Sequence, residues 1–250
     1  MKHPRDQFLT VYGRKPVLEL LAQPQLSIAK VAIAQKAKGD IIQQILEACE
    51  TRQVPVLRLP AAEVARLSKH PKQDQGVAAD VHTPYMDDAL QALQADLPQH
   101  CTFLALDGIT TPANVGLIIR TATAMGLDGI LIPRKGSAKL DAFVIKASAG
   151  VVFKSRLLKC ERLTPVLKKA KEKGFEIYAL SGEQGSTIYE GDFAPRSIFV
   201  LGNESAGVSP ATEALTTAHF SIPMANEVES LNVACAAAVV CSEVLRRRGE

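Results

Sequence analysis

The chain has 250 residues, of which 47% are hydrophobic and 22% charged, with a formal net charge of +3. This balance excludes a disordered chain and indicates a globular protein with a substantial core. The longest uncharged apolar stretch, around Val233 to Cys241, is too short to span a bilayer, and the first ten residues lack the apolar segment of a signal peptide. We therefore expect a cytoplasmic protein without a membrane segment.

Cysteine and charge usage narrow the class further. The five cysteines form no C-x-x-C pair and the five histidines show no ligand spacing, so we expect reduced, mostly buried thiols and no metal site. Residues 1–85 carry 12 Lys+Arg against 8 Asp+Glu, whereas residues 86–250 carry 17 against 18. A basic first segment is compatible with binding to RNA phosphates, and equally with an ordinary solvated surface.

The first segment alternates between helix and strand patterns as far as residue 82. The apolar spacing predicts three helices, at GRKPVLELLAQ, GDIIQQILEACETRQ and AAEVARLSKH. It predicts three strands, at KVAIAQ, VPVLRLP and QGVAADVHT. The polar stretch 70–76 (HPKQDQG) reads as an exposed loop. We interpret residues 1–82 as a small α/β domain.

Residues 83–100 are mostly polar and open with a proline, so we interpret them as a linker or as a helix that covers a sheet edge. The alternation resumes at residue 101, with strands predicted at TFLALDG, GILIP, FEIYALS, SIFVLGNE and AHFSIP. Helices are predicted at 114–125, 141–149, 164–173, 210–215 and 231–247. Strands that are apolar throughout indicate a parallel sheet covered on both faces, with ligands beyond the strands' carboxyl ends.

Three loops follow strands of this second unit: DGITTPANVG, LGNESAGVS and PMANEVESLN. No G-x-G-x-x-G follows the first strand of either unit and no G-x-x-x-x-G-K-[ST] occurs, which excludes the common phosphate-binding loops. Glu204 would repel a phosphate, so the second loop suits a neutral or cationic ligand better. Asn114 stands where a helix N-cap belongs and Ser230 precedes the last helix, so both have a capping alternative to a ligand role.

The helix after the first loop has one apolar face, formed by Val115, Ile118, Ile119, Ala122 and Met125. Arg120 falls roughly opposite this face. The helical pattern by itself therefore predicts a solvated arginine there and assigns it no chemistry.

The three loops carry a specific resemblance. NVGLIIRTATAMG, LGNESAGVS and IPMANEVESLNVA, in this order, resemble the three motifs of the SpoU (TrmH-like) RNA ribose 2'-O-methyltransferases of the SPOUT superfamily. YGRKPVLELL and QGVAADV resemble the N-terminal SpoU substrate-binding domain, which is similar to ribosomal RNA-binding proteins. Leu117, Ala234 and Cys235 depart from the usual residues. These departures concern packing more than chemistry.

The resemblance implies an α/β fold with a small RNA-binding domain at 1–82, a linker at 83–100 and a SPOUT domain at 101–250. That domain would have a mostly parallel sheet and a deep C-terminal trefoil knot, act as a homodimer and bind S-adenosylmethionine in the knot. The resemblance places the cofactor against Leu201, Gly202, Asn203, Gly207, Ile222, Met224 and Leu231. It places the reacting ribose against Asn114, Arg120, Glu204, Ser230 and Asn232.

The reaction implied is methyl transfer to a ribose 2'-hydroxyl of RNA. A guanidinium stays protonated, so we interpret Arg120 as an electrostatic clamp rather than a base. The N-terminal domain favours 23S-type ribosomal RNA, because the shorter tRNA enzymes of the family usually lack it. A tRNA enzyme and a non-catalytic RNA-binding protein on the same fold are the alternatives.

Overall fold

The structure is a computed structural model that describes residues 8–24, 26–82, 86–181 and 185–249. Two compact units are present, one of residues 1–84 with 141–146 and the other of residues 85–140 with 147–250. Within the described ranges, no helix is both long and apolar enough to cross a bilayer. The first three residues of the predicted linker, 83–85, lie outside the described residues.

The smaller unit contains a four-stranded sheet in the order β1-β4-β2-β3. Its strands are β1 (Phe8–Tyr12), β2 (Ile28–Ala34), β3 (Val56–Leu59) and β4 (Val77–His82). Its helices are α1 (Arg14–Leu21), α2 (Asp40–Thr51) and α3 (Ala61–Ser68). β4 runs antiparallel to β1 and β2, and β3 runs parallel to β2. Therefore the loops that follow β1, β2 and β3 lie at the same end as the loop that precedes β4.

The larger unit contains an eight-stranded sheet in the order β10-β12-β9-β11-β6-β7-β8-β5, in which every neighbouring pair is parallel. The strands are β5 (Met86–Asp88), β6 (Cys101–Leu106), β7 (Gly129–Pro133), β8 (Leu157–Cys160), β9 (Glu176–Leu180), β10 (Ser186–Thr187), β11 (Arg196–Leu201) and β12 (Ala218–Ser221). The predicted α/β class with a parallel sheet is confirmed.

The remaining helices follow β5 along the chain. They are α4 (Ala89–Ala92), α5 (Pro112–Ala124), α6 (Ala142–Ala147), α7 (Leu163–Glu172), α8 (Pro210–Glu213) and α9 (Val233–Arg248), with a 3-10 turn at Val151–Phe153. The stretch 86–92, interpreted from the sequence as linker or as a helix covering a sheet edge, forms the edge strand β5 and the short helix α4.

Four strands were not predicted: β1, β5, β8 and β10. Each is short or only partly buried, so its sequence lacks the continuous apolar run of the central strands; β1, for example, buries only Val11. In contrast, every residue of β6 is buried, and Phe103 on it stacks on Phe175 with ring centroids 5.4 Å apart. Hydrophobic burial of this kind fixes the centre of the sheet.

Candidate functional site

The loop after β11 is closed by its own hydrogen bonds. The backbone N–H groups of Asn203 and Gly207 each donate to the other residue's carbonyl at 2.9 Å. The Asn203 side chain accepts from the N–H groups of Ser205 and Ala206 at 3.0 Å and donates to the Gly108 carbonyl at 3.0 Å. The loop 202–207 is therefore shaped before any ligand arrives, and it is tied to the loop after β6.

Two glycines make this closure possible. A side chain at Gly202 would place its Cβ 2.3 Å from the carbonyl carbon of Gly207, so the two backbone segments approach only because Gly202 has none. Gly207 has a φ of 67°, in the left-handed region that glycine adopts without strain. Both predicted residues therefore have a geometric reason for being glycine.

The loop after β12 is different. Residues 223–231 are all exposed, and a single backbone hydrogen bond forms within the loop, from Val228 N to Ala225 O at 3.2 Å, among the described residues. Asn226 and Glu227 both have positive φ, at 55° and 59°. This loop carries the predicted residues Met224, Ser230 and Leu231 on a backbone that has few internal contacts.

A chain of hydrogen bonds links the start of α9 to the loop after β11. Asn232 Oδ1 accepts from Ala234 N at 2.8 Å, which caps α9 and leaves Asn232 Nδ2 to donate to Asn114 Oδ1 at 3.2 Å. Asn114 Nδ2 in turn donates to Glu204 Oε1. The cap fixes which way each amide points, so the chain delivers an N–H group to the Glu204 carboxylate.

The observed starts of α5 and α9 show that two capping interpretations from the sequence were wrong. Asn114 is not an N-cap: α5 begins at Pro112, after the cap residue Thr111, and Asn114 is buried inside its first turn. Proline is favoured at the first helical position, so the helix starts at Pro112, two residues before the predicted start. Ser230 is not the cap of α9 either, since Asn232 takes that position.

A cavity of about 150 Å³ lies between the loops that follow β9, β11 and β12. Nine of the predicted residues line it: Leu201, Gly202, Asn203, Glu204, Gly207, Ile222, Met224, Ser230 and Leu231. Two carboxylates, Glu204 and Glu229, border it, and none of the described lining residues is Lys or Arg. Met224 and Leu231 remain 37% and 39% exposed, so their apolar side chains have room for a ligand.

The sequence missed five lining residues: Leu180, Ser181, Glu229, Val233 and Ala236. Leu180 ends β9, which neighbours β11 in the sheet. The carboxyl ends of neighbouring parallel strands form such walls, but no local pattern in the sequence shows that β9 lies beside β11.

Arg120 stands apart from this group. It is exposed, and its guanidinium group makes no hydrogen bond or ion pair with any residue that the structure describes. Six residues of α-helix separate it from Asn114, which turns the two side chains about 120° apart around the helix axis. The structure brings Asn114, Asn232 and Glu204 together, and it does not bring Arg120 to them within one chain.

The far end of α9 is anchored by charge. Glu243 is only 4% exposed and pairs with Arg246 and Arg247 at 2.7 and 2.6 Å. The hydrogen bond from Arg246, with further help from Arg247, lowers the pKa of Glu243 to about 2. Arg247 also donates to the carbonyls of Ile188 and Tyr189 at 3.0 Å, while Arg248 donates to Gly126 O at 2.8 Å and pairs with Asp128.

Two of the buried cysteines have thiols with raised pKa values. Burial raises the pKa of the Cys241 thiol to about 12 and that of Cys101 to about 11, so both stay protonated at neutral pH. Among the described residues, no group of three or more His, Cys, Asp or Glu could hold a metal ion. The chemistry available here is that of carboxylate, amide and hydroxyl groups beside an apolar pocket.

Comparison with known proteins adds the following findings. A sequence model of the SpoU rRNA Methylase family matches residues 102–242, and one described as RNA 2'-O ribose methyltransferase substrate binding matches residues 10–86. A Staphylococcus saprophyticus protein assigned to the TrmH family of tRNA/rRNA methyltransferases is 32% identical over 242 residues, 96% of this chain and 96% of its own.

Two crystal structures share the fold to different extents. An AdoMet-bound rRNA methyltransferase from Sinorhizobium meliloti matches 97% of this chain and 88% of its own, with a TM-score of 0.70 and 22% identity. A TrmH/SpoU tRNA modifying enzyme from A. aeolicus matches 64% of this chain and 81% of its own, with a TM-score of 0.53 and 24% identity. The first likeness spans nearly the whole chain and the second spans less than two thirds of it.

Proposed function

The chain belongs to the SpoU rRNA methylase family of RNA methyltransferases, and we propose that it transfers a methyl group from S-adenosylmethionine to a ribose 2'-hydroxyl of ribosomal RNA. The observation that carries this proposal is the chain of hydrogen bonds from Asn232 through Asn114 to Glu204, beside a cavity with two carboxylates. The proposal includes reaction in the cytoplasm and a C-terminal trefoil knot, as the family resemblance implies.

The cavity fits the cofactor by its chemistry. When bound, S-adenosylmethionine supplies a methyl group on a positively charged sulfonium. Glu204 and Glu229 provide negative charge, and the described lining offers no cation to oppose it. Met224 and Leu231 offer apolar surface for the nucleoside, and the loop 202–207 offers backbone polar groups. We propose that these residues hold the cofactor.

The ribose is activated by groups of this chain. Asn114 occupies Glu204 Oε1, and Oε2 makes no hydrogen bond with a described residue. We assign Glu204 Oε2 as the acceptor of the 2'-hydroxyl proton while the 2'-oxygen forms its bond to the methyl carbon. Bound S-adenosylmethionine would supply the methyl group, its sulfonium leaving as a neutral thioether in the same displacement, and the carboxylate would pass the proton to water. Asn114 and Asn232 orient the carboxylate, and Ser230 lies where it can position the ribose.

Arg120 acts, in this proposal, on the site of a second copy of the chain. It is exposed and turned away from Glu204, and Leu117 one turn before it is 43% exposed. α5 packs against α9, whose Ala238 and Val239 are also incompletely covered. A homodimer formed through these helices would cover this apolar surface and bring each Arg120 to the partner's ribose as an electrostatic clamp.

Mixed dimers test this arrangement. An Arg120→Ala chain and a Glu204→Gln chain are each expected to be inactive alone. If Arg120 acts across the dimer, a dimer of the two variants contains one fully intact site, and mixing them restores about a quarter of the wild-type activity. Activity that stays at the level of the separate variants would assign Arg120 to its own chain's site or deny it a role.

Ribosomal RNA is the proposed substrate because the match to the rRNA methyltransferase spans both units, whereas the match to the tRNA enzyme leaves about a third of this chain uncovered. The test is incubation of the protein with labelled S-adenosylmethionine and either ribosomal RNA or tRNA, followed by alkaline hydrolysis. A 2'-O-methyl group blocks alkaline cleavage at its nucleotide, so label in alkali-resistant dinucleotides from ribosomal RNA is expected. Label only in tRNA, only in mononucleotides, or in no RNA would contradict the proposal.

A further inference from the structure

The smaller unit concentrates positive charge at one end of its sheet. Strand direction places the segments 13–15, 35–39 and 58–60, which include the first residues of α1 and the last of β3, at the same end as the segment 69–76. These four segments, here called the basic end, contain seven cations: Arg14, Lys15, Lys36, Lys38, Arg58, Lys69 and Lys72. Their one carboxylate, Asp74, is buried and accepts hydrogen bonds from Ser68 Oγ and Gly76 N at 2.8 Å.

The two arginines of the basic end hold it together. Arg14 donates to the carbonyl oxygens of Gln75 and Lys38 at 3.2 Å, which joins three of the four loops. The guanidinium nitrogen Nη1 of Arg58 lies 3.5 Å from the carbonyl oxygens of Ala34 and Ala37. The backbone that presents the lysines is therefore fixed by contacts within the unit.

The side chains of the five lysines of the basic end, unlike those of the two arginines, bind no backbone carbonyl of this unit. All are exposed, and none of their side-chain ammonium groups makes a hydrogen bond or ion pair with a residue that the structure describes. Elsewhere in the chain, Lys30, Lys135 and Lys169 pair with carboxylates at 3.3, 3.1 and 2.8 Å. Unpaired lysines on a fixed backbone are the arrangement that an anionic chain recognises.

An aromatic platform stands among these charges. His70 is exposed and stacks on Tyr12, with ring centroids 4.8 Å apart and an interplanar angle of 23°. Tyr12, Lys15, Gln73 and Gln75 also line a cavity of about 590 Å³ within this unit. Phosphate-binding charge, a stacking face and amide side chains together match the chemistry of an unpaired nucleotide, whose base is free to leave its neighbours.

We propose that the basic end binds a single-stranded segment of the RNA substrate, with phosphates on the lysines and one base stacked on His70. This inference rests on the proposed RNA methyltransferase function and extends it, because it places recognition of unpaired RNA in the smaller unit. A fully paired duplex keeps its bases stacked on each other and offers the platform no base face. The basic end therefore distinguishes a loop from a helix of the same length.

Binding is measured with the full chain and without a methyl donor, on a hairpin RNA with an unpaired loop and on a blunt, fully paired duplex of equal length. His70→Ala should weaken hairpin binding about tenfold, as expected for one lost stacking contact, and leave duplex binding unchanged. His70→Phe keeps a stacking face and should restore hairpin affinity. Equal effects of His70→Ala on both RNAs, or no effect on either, would overturn the platform.

The charge component is read from salt dependence. Lys36→Gln/Lys38→Gln and Lys69→Gln/Lys72→Gln should each reduce the slope of log affinity against log salt by about 1.4, or about 0.7 per lost phosphate contact. Lys168→Gln/Lys173→Gln is the matched control, because both lysines are exposed on or just after α7 in the larger unit. If all three double variants and the wild type have the same slope of log affinity against log salt, the proposal that the basic end binds RNA phosphates is wrong. Absence of methyl transfer, by contrast, would refute the proposed activity and leave these binding results standing.

Discussion

The two loops that form the walls of the candidate cofactor site are built in opposite ways. The wall after β11, residues 202–207, is closed by paired backbone hydrogen bonds and by the side chain of Asn203. The wall after β12, residues 223–231, is exposed and holds one backbone hydrogen bond of its own among the described residues. The first wall has its final conformation once the protein has folded. The second wall has few internal contacts, so a bound ligand can determine its conformation.

This difference indicates how the site divides its work. A preformed wall can position a charged group such as Glu204 without losing conformational entropy when the ligand binds. An open wall can bring Met224 and Leu231 over an apolar ligand after it arrives. Substitutions that act on one wall, or on neither, should therefore have separable effects on stability, cofactor affinity and the rate of methyl transfer.

The largest effect is expected outside both walls. Arg120→Ala should lower the single-turnover rate of methyl transfer by on the order of a hundredfold or more, because the clamp on the developing charge is lost. Cofactor affinity, measured by calorimetry, should stay within twofold of wild type because Arg120 lines neither wall. Arg120→Lys should recover only part of the rate, since a point charge lacks the guanidinium fork. A wild-type rate for Arg120→Ala would remove this residue from the chemistry.

The next effect tests the preformed wall. Gly202→Ala introduces a Cβ 2.3 Å from a backbone carbon, which must force the loop open. We expect a loss of about 2 kcal/mol in the free energy of unfolding and a drop of roughly thirtyfold in cofactor affinity. Gly126→Ala is the control for cofactor binding: its Cβ would meet nothing within 4 Å, so at its φ of 69° it adds backbone strain without a clash in the loop 202–207. If both variants bind the cofactor equally well, the closed loop does not shape the pocket.

A third substitution tests whether the ion pairs at the end of α9 stabilise the fold without affecting the open wall that precedes this helix. Glu243→Gln, at the far end of α9, should cost about 1.5 kcal/mol of unfolding free energy at neutral pH, with cofactor affinity unchanged. The folded-state pKa of Glu243 is about 2 against a reference value of 4.5, so its contribution is complete above pH 4.5. It disappears as the pH falls toward 2. Urea unfolding of both proteins across this range should show the two stabilities converging at low pH, and a constant difference would contradict the assignment.

The smallest effect concerns the open wall itself. Leu231→Ala removes a side chain that is 39% exposed, so the free energy of unfolding should change by less than about 0.5 kcal/mol. Cofactor affinity should fall about fivefold, because the ligand loses apolar contact. The control is Leu90→Ala, whose side chain is 38% exposed and lies in α4 away from the cavity. Equal cofactor affinity in the two variants would show that Leu231 does not cover the ligand.

The sequence predicted the features that depend on burial. The strands β6, β7, β9 and β11 contain runs of buried apolar residues, whereas β12 buries only Phe220. The order of these strands along the chain was enough to place the loops after β11 and β12 at one edge. The short strands β5 and β10 carry too few buried residues to be distinguished from loop. The burial pattern of a strand does not show which other strand it pairs with. The sequence therefore left the order of strands in the sheet open.

The candidate site was less accessible to sequence reasoning. Asn114 looked like a cap because its side chain is typical of one, and only the start of α5 at Pro112 shows that its amide is free for Glu204. The wall at Leu180 belongs to a strand whose place beside β11 has no local signature. By contrast, the helical pattern had already predicted an exposed Arg120 opposite the apolar face of α5.

The helix α9 has a consequence for the order of synthesis. Its first turn carries the Asn232 cap that orients Asn114, and its last turn is bound by Arg247 and Arg248 to turns made much earlier in the chain. A ribosome produces α9 after every other element that borders the site. A growing chain can fold its first unit and much of its parallel sheet before α9 is made, yet it cannot orient Glu204. The catalytic arrangement is therefore completed only after α9 has been synthesised.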